Sequence, residues 1–282
     1  MEEQTSPSLL SFGQLLKKSW QIYKERFWTL IGIMILSDLL SVGIIFLVVI
    51  ISLLFSSKPL IFLIPLGIIG VFILFFWSFV ALLFAIKERE ERIGVFESYK
   101  KSFPKLLSFI WISILVASIT SGGLLLLIVP GIVFAVWFSL ASYVLVSEDL
   151  KGMKALFRSK QLVQGYWWKV FSRFFLLILL IRLLILLILI VVSIVLGLFG
   201  GNYIESDLVV MLGFFLFYFL LLPFLLLPFV FVFGFLLYEN LRQIKEGTVF
   251  EEPKIGTKIG FLLIAILGFL VFLLVFLLTL AF

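Results

Sequence analysis

Long apolar runs alternate along the chain with short polar segments that are mostly basic, and this alternation predicts its elements. Runs poor in charge cover residues 27–55, 60–86, 106–121, 124–146, 167–199, 208–238 and 259–282. All but 106–121 exceed the roughly 20 residues that a helix needs to cross a bilayer. The longest, 167–199, must tilt or project. The pattern predicts an all-α polytopic membrane protein with about seven transmembrane helices, forming one integral-membrane domain over 1–282.

Three of the polar segments are amphipathic: 9–26, 94–105 and 150–164. In the first, Phe12, Leu16, Trp20, Tyr23 and Phe27 recur at three- and four-residue spacing, with Gln14, Lys17, Lys18, Gln21, Lys24 and Glu25 on the other face. A helix with a basic face and an aromatic face suits the headgroup plane of a membrane. It also suits the outer helix of a soluble core, but the unbroken apolar run beginning at Phe27 favours the interface. Ser6-Pro7-Ser8 marks the start of this helix, with Pro early enough to tolerate its missing N–H.

Other residues mark the turns and breaks. Ser56-Ser57-Lys58-Pro59 reads as a tight turn, 87–92 as a charged loop and 200–207 as a polar turn. Gly122-Gly123 reads as the sharpest reversal in the chain. Pro130, beside Gly131, should kink the fourth span, and Pro223 and Pro228 the sixth, freeing carbonyls near Phe219 and Phe224. Trp20, Trp167 and Trp168 are the expected interfacial anchors. Small residues at four-residue spacing, Ser113, Ala117 and Ser121 on one span and Gly131, Ala135 and Ser139 on the next, predict a tightly packed hairpin.

A repeat is visible. Lys17-Lys18-Ser19-Trp20, Lys100-Lys101-Ser102-Phe103 and Phe157-Arg158-Ser159-Lys160 each lie in an amphipathic segment followed by two apolar runs. The unit would be a surface helix plus a hairpin, used three times, with the last span appended. Chance similarity among basic amphipathic helices would produce the same pattern.

Charge fixes the expected topology. All of the 22 Lys and Arg except Lys58 and Arg182 fall before the first span, between spans two and three, between four and five with the entry to five, or between six and seven. Those segments share one side of the membrane. The positive-inside rule predicts an N-terminus in the cytoplasm and a C-terminus outside. The acidic start, Met1-Glu2-Glu3-Gln4, lacks the basic region of a cleavable signal, so the first span is expected to insert as an uncleaved anchor.

Composition narrows the function classes. The chain is 63% hydrophobic and 13% charged, against about 45–50% and 25% for soluble domains. Its formal charge of +6 lies beside apolar spans, where it sets topology and meets anionic headgroups. No separate basic domain exists to bind nucleic acid. With no His and no Cys, the usual zinc sites, Cys–His nucleophiles and His bases are excluded. No metal and no cofactor is expected.

The passage Ile128-Val129-Pro130-Gly131, Ser147-Glu148, Ala155-Leu156-Phe157-Arg158-Ser159 and Leu162-Val163-Gln164-Gly165-Tyr166-Trp167 resembles the membrane-domain family of glycerophosphodiester phosphodiesterases and its YciC-like inner-membrane relatives. The resemblance covers about 128–168 well and the remainder only in general pattern. It implies a polytopic helical module of the inner (cytoplasmic) membrane. In that family the catalytic chemistry belongs to a fused soluble domain that uses His and metal-binding carboxylates. This chain carries no such domain, so the resemblance implies no phosphodiesterase activity.

Asp38 and Arg182 are the charges well inside spans, where ionisable residues are costly and usually paired or functional. Asp38 lies about 18 Å beyond Arg26 along a helix and Arg182 about 14 Å beyond Arg173, so a pair joining spans one and five is expected. Alternatively, Arg182 snorkels and Asp38 is protonated or caps a turn.

The function expected from these features is a non-catalytic membrane module binding lipid or a protein partner at its cytoplasmic face. A small-solute or ion transporter using Asp38 and Arg182 is the alternative. A membrane enzyme lacks a nucleophile–base or metal constellation. The oligomeric state is not encoded in any of these signals.

Overall fold

The computed structural model describes residues 8–54, 60–199 and 222–281. Every regular element among them is a helix: α1 (Phe12–Glu25), α2 (Phe27–Leu54), α3 (Leu60–Lys87), α4 (Val95–Ser102), α5 (Leu106–Leu126), α6 (Ile128–Phe138), α7 (Ala141–Glu148), α8 (Met153–Val163), α9 (Trp167–Phe199), α10 (Leu222–Ile244) and α11 (Ile255–Ala281). A 3₁₀ turn, Phe103–Lys105, joins α4 to α5. Among the described residues six stretches are long and apolar enough to cross a membrane: Phe27–Leu54, Leu63–Lys87, Val95–Leu126, Ile128–Glu148, Trp167–Val191 and Phe224–Ile244. The chain is thus an all-α polytopic membrane protein. The expected seventh span falls on α11, whose described apolar stretch is the shorter Ile255–Val271. The expected turns at 56–59 and 200–207 and the start of span six lie outside the described residues, as do Ser6 and Pro7; the helix expected to begin there and to cover 9–26 starts instead at Phe12, capped by Ser11, with residues 8–11 outside it.

The amphipathic helices each precede apolar ones in chain order: α1 before α2 and α3, α4 before α5 and α6, α8 before α9 and α10. α1 begins with a capping box: the Ser11 hydroxyl accepts from the Gln14 N–H at 3.3 Å, and the Gln14 side chain accepts from the Ser11 N–H at 2.9 Å. Burial is concentrated at one end of the molecule. Residues 80–86 of α3, 143–146 of α7 and 232–238 of α10 are buried without a break. α8 packs Leu156, Phe157, Leu162 and Val163 among them. Away from that end the side chains of the long helices are largely exposed: Leu53 of α2, Leu66 of α3 and Leu187 of α9 are 80%, 65% and 58% exposed. Helices that are apolar all round and open all round belong in hydrocarbon.

Two expected breaks lie elsewhere. α5 runs straight through Gly122-Gly123 to Leu126, and the reversal comes at Leu127, whose backbone is extended. The two glycines serve close packing instead. A Cβ on Gly123 would press on Phe134 and Gly131, and one on Gly131 would press on Leu124. Pro130 does not kink its span, because it sits in the first turn of α6, where an N–H would have no helical acceptor. The fourth span breaks nine residues later, between α6 and α7. There the fully buried Ser159 of α8 donates to the Trp137 carbonyl at 2.6 Å and accepts from the Leu140 N–H at 3.2 Å. One hydroxyl thus serves a carbonyl and an N–H at the break, and the Ser139 hydroxyl donates to the Val136 carbonyl beside them at 2.9 Å.

The sixth span departs from its expected end as well. α10 continues past Tyr238 through Ile244, and in that turn Glu239 pairs with Arg89 while the Asn240 side chain accepts from the Leu10 N–H at 2.8 Å. Pro228 lies inside α10 and removes the donor for the Phe224 carbonyl. At the next carbonyl, that of Leu225, the Tyr23 hydroxyl donates at 2.9 Å. Pro223 is the second residue of α10.

Candidate functional site

The basic segments that the charge count assigned to one side meet at the buried end, where they form a polar collar. Arg89 and Glu239 make a two-pronged bridge, 3.1 Å on each prong, which ties the end of α3 to α10. Glu148, at the acidic corner after α7, accepts from Arg158 Nε at 2.8 Å and from the Tyr238 hydroxyl at 2.9 Å. Arg158 also reaches the Thr248 carbonyl at 3.3 Å. Lys105 pairs with Asp149, and that hydrogen bond, with the positive charge around it, holds the Asp149 carboxyl below its ordinary range.

Several other cations of the collar hold main-chain carbonyls. Lys87 donates to Val146 at 3.0 Å, Arg26 to Ile93 at 2.5 Å, and Lys245 to Gln164 at 2.7 Å and to Gln161. Arg173 holds the carbonyls of Leu10 at 3.0 Å and Lys169 at 2.8 Å. Basic groups at helix C-termini satisfy the last carbonyls and oppose the helix dipole; Lys245 does this for α8. Burial lowers the Lys245 ammonium below its ordinary value, with the Arg158 charge adding to the effect. Lys160 lies 4.3 Å from the Trp137 ring and 5.3 Å from the Phe261 ring, and burial lowers it too.

The lysines of α1 differ. Among the ion pairs of the described residues none includes Lys17, Lys18 or Lys24. α1 presses Leu15, Ser19 and Tyr23 inward and packs along α10, with Phe12 against Phe233 and Tyr23 against Phe229. On its other flank a groove of about 610 Å³ opens between α1, α9 and α10. Its walls are almost wholly apolar, with Leu16, Trp20 and Tyr23 facing Ile181, Leu184 and Phe229. Lys17 is the charged residue in its lining. The volume lies within the about 300–1,000 Å³ of ordinary ligand pockets.

The expected anchors are placed as follows. Trp20, half exposed, stacks on Tyr23 beneath Lys24 at the groove. Trp168 is exposed at the start of α9, beside Lys169. Trp167 is half-buried and stacks on Phe171, 5.3 Å between centroids. The chain reaches this point through Gly165, whose φ of +86° is a backbone conformation that favours glycine. Asp38 is half-buried on α2 and Arg182 is exposed on α9. No ion pair of the described residues joins them. No group of three or more His, Cys, Asp or Glu able to hold a metal occurs among the described residues.

Sequence reasoning used the collar charges only as a count and did not foresee their partners. Arg89 and Glu239 stand 150 positions apart, and nothing local announces such a pair. The groove was half visible: the apolar stripe of α1 is regular, but the stripe alone does not say which helices face it. The chain matches no protein-family profile, no curated protein and no solved structure.

Proposed function

We propose that the chain is a non-catalytic membrane module that binds lipid, using the face of α1 turned away from the core. The observation that carries this reading is the cationic surface of α1. Lys17, Lys18 and Lys24 have no carboxylate partner among the described ion pairs, and an exposed Trp20 lies among them. Lysines beside a bilayer each add about 1 kcal/mol of attraction to anionic lipid. The test is the melting temperature of the full chain in nanodiscs. It should be higher in phosphatidylglycerol than in phosphatidylcholine, with the gap shrinking as salt is raised. Equal melting in the two lipids would overturn the reading.

The same proposal includes the cytoplasmic membrane as the site of insertion, with the collar in the cytoplasm. The meeting of four basic segments at one end supports it, as does the excess of Lys and Arg there. The resemblance to the glycerophosphodiester phosphodiesterase membrane domains points the same way. Reporter fusions at Glu90, Lys151 and Glu246 should all read cytoplasmic; an external reading at any one would reject this orientation.

A further inference from the structure

We infer that the groove between α1, α9 and α10 is the seat of one anionic phospholipid, its acyl chain against Leu16, Leu184 and Phe229 and its phosphate against Lys17. This rests on the lipid-binding reading above and deepens it to one site and one headgroup class. Three observations favour a lipid over other occupants. The walls are hydrocarbon, while a cation stands in the lining. An apolar helix from a partner would cover Lys17 and leave a charge without a counter-ion, which is costly. A phosphate answers that charge. The groove is also bordered by α9, and only 6% of its membrane-length stretch is buried inside the protein, so lipid has direct lateral access. Trp20 stands half exposed in the same lining, and such a residue suits the boundary between headgroup and hydrocarbon.

The two parts of the site separate by substitution. Leu184→Trp fills the apolar wall from the lipid-facing side. Lys17→Glu removes the phosphate partner on an exposed helix face and is expected to leave the fold intact. Native mass spectrometry of the purified full chain, with phosphatidylglycerol or phosphatidylcholine added, counts the bound lipid. The wild type should retain one phosphatidylglycerol in preference to phosphatidylcholine. Lys17→Glu should weaken phosphatidylglycerol retention about tenfold and abolish the preference. Leu184→Trp should lower retention of both lipids, and its unchanged melting temperature in detergent would show that it folds.

Selective retention that neither variant alters would place the lipid elsewhere and overturn the groove, leaving the broader reading intact. A wild type without preference, together with equal melting in the two nanodiscs, would remove both. A second copy of the chain bound in place of lipid, and lost in Leu184→Trp, would identify a protein occupant and overturn the lipid assignment.

Discussion

Arg158→Leu is expected to cost about 3 kcal/mol of stability, the lower end for breaking a buried ion pair by removing one partner. The side chains of Arg158 and Glu148 are 9% and 14% exposed, so water cannot replace what is lost. Without Arg158 the Glu148 carboxylate keeps the Tyr238 hydroxyl at 2.9 Å but no charge to balance it. Glu148→Gln removes the guanidinium's counter-charge, leaving it only neutral acceptors, the Gln amide oxygen and the Thr248 carbonyl at 3.3 Å. The double variant Glu148→Gln, Arg158→Leu removes both charges and should lose much less than the sum of the singles. Tyr238→Phe gives up one hydrogen bond and should cost about 1 kcal/mol. Melting temperatures of the four members of the cycle in one detergent supply the measurement. Single losses that add to within about 0.5 kcal/mol would mean that the two residues act independently.

Glu148 and Arg158 lock α7 to α8, and Ser159 bridges the break between α6 and α7. Asp38 and Arg182 drew notice because charges inside spans are conspicuous. Among the described residues, the ion pairs Arg89–Glu239 and Arg158–Glu148 that join helices lie at the ends of the hydrocarbon-length runs or outside them, where a charge in the sequence looks ordinary.

The apolar runs were legible because a bilayer demands about 20 consecutive apolar residues, and that demand is local in sequence. The break at 139–140 was not legible, because its polar groups are satisfied by a hydroxyl some twenty residues away on another helix. Pro130 misled for a related reason: a proline kinks a helix only from within, and its place in the first turn depends on where Leu127 ends the preceding helix. For the groove, the stripe of α1 was read from its spacing, whereas the opposing wall comes from α9 and α10, more than 150 residues along the chain.

Gly122 and Gly268 are where the smallest change should do the most damage. Small residues at four-residue spacing predicted a close hairpin of spans three and four. The hairpin is close, through Gly123 and Gly131, but the same helix α5 also presents Ser118, Ser121 and Gly122 to α11. A Cβ on Gly122 would fall on the Ile264 carbonyl oxygen, and one on Gly268 would fall on the Ser118 carbonyl oxygen and 2.6 Å from the Gly122 nitrogen. Those are backbone atoms, so no side-chain rotation relieves the clash and the helices must move apart. In lipid there is no hydrophobic drive to bring them back together, since packing itself supplies the attraction. Alanine improves helix propensity by about 1 kcal/mol over glycine, whereas overpacking costs about 1–3 kcal/mol, occasionally more. With backbone on the far side of the contact, the upper part of that range applies and the clash wins. Gly122→Ala and Gly268→Ala should each lower the melting temperature in detergent, and Leu at either position should prevent recovery of a monodisperse protein. Gly43 and Gly260, on α2 and α11, have nothing within 4 Å of a new Cβ, so their alanine variants should melt at or above the wild type. If Gly268→Ala melts with Gly260→Ala, eight residues away on the same helix, then α5 and α11 do not touch backbone to backbone.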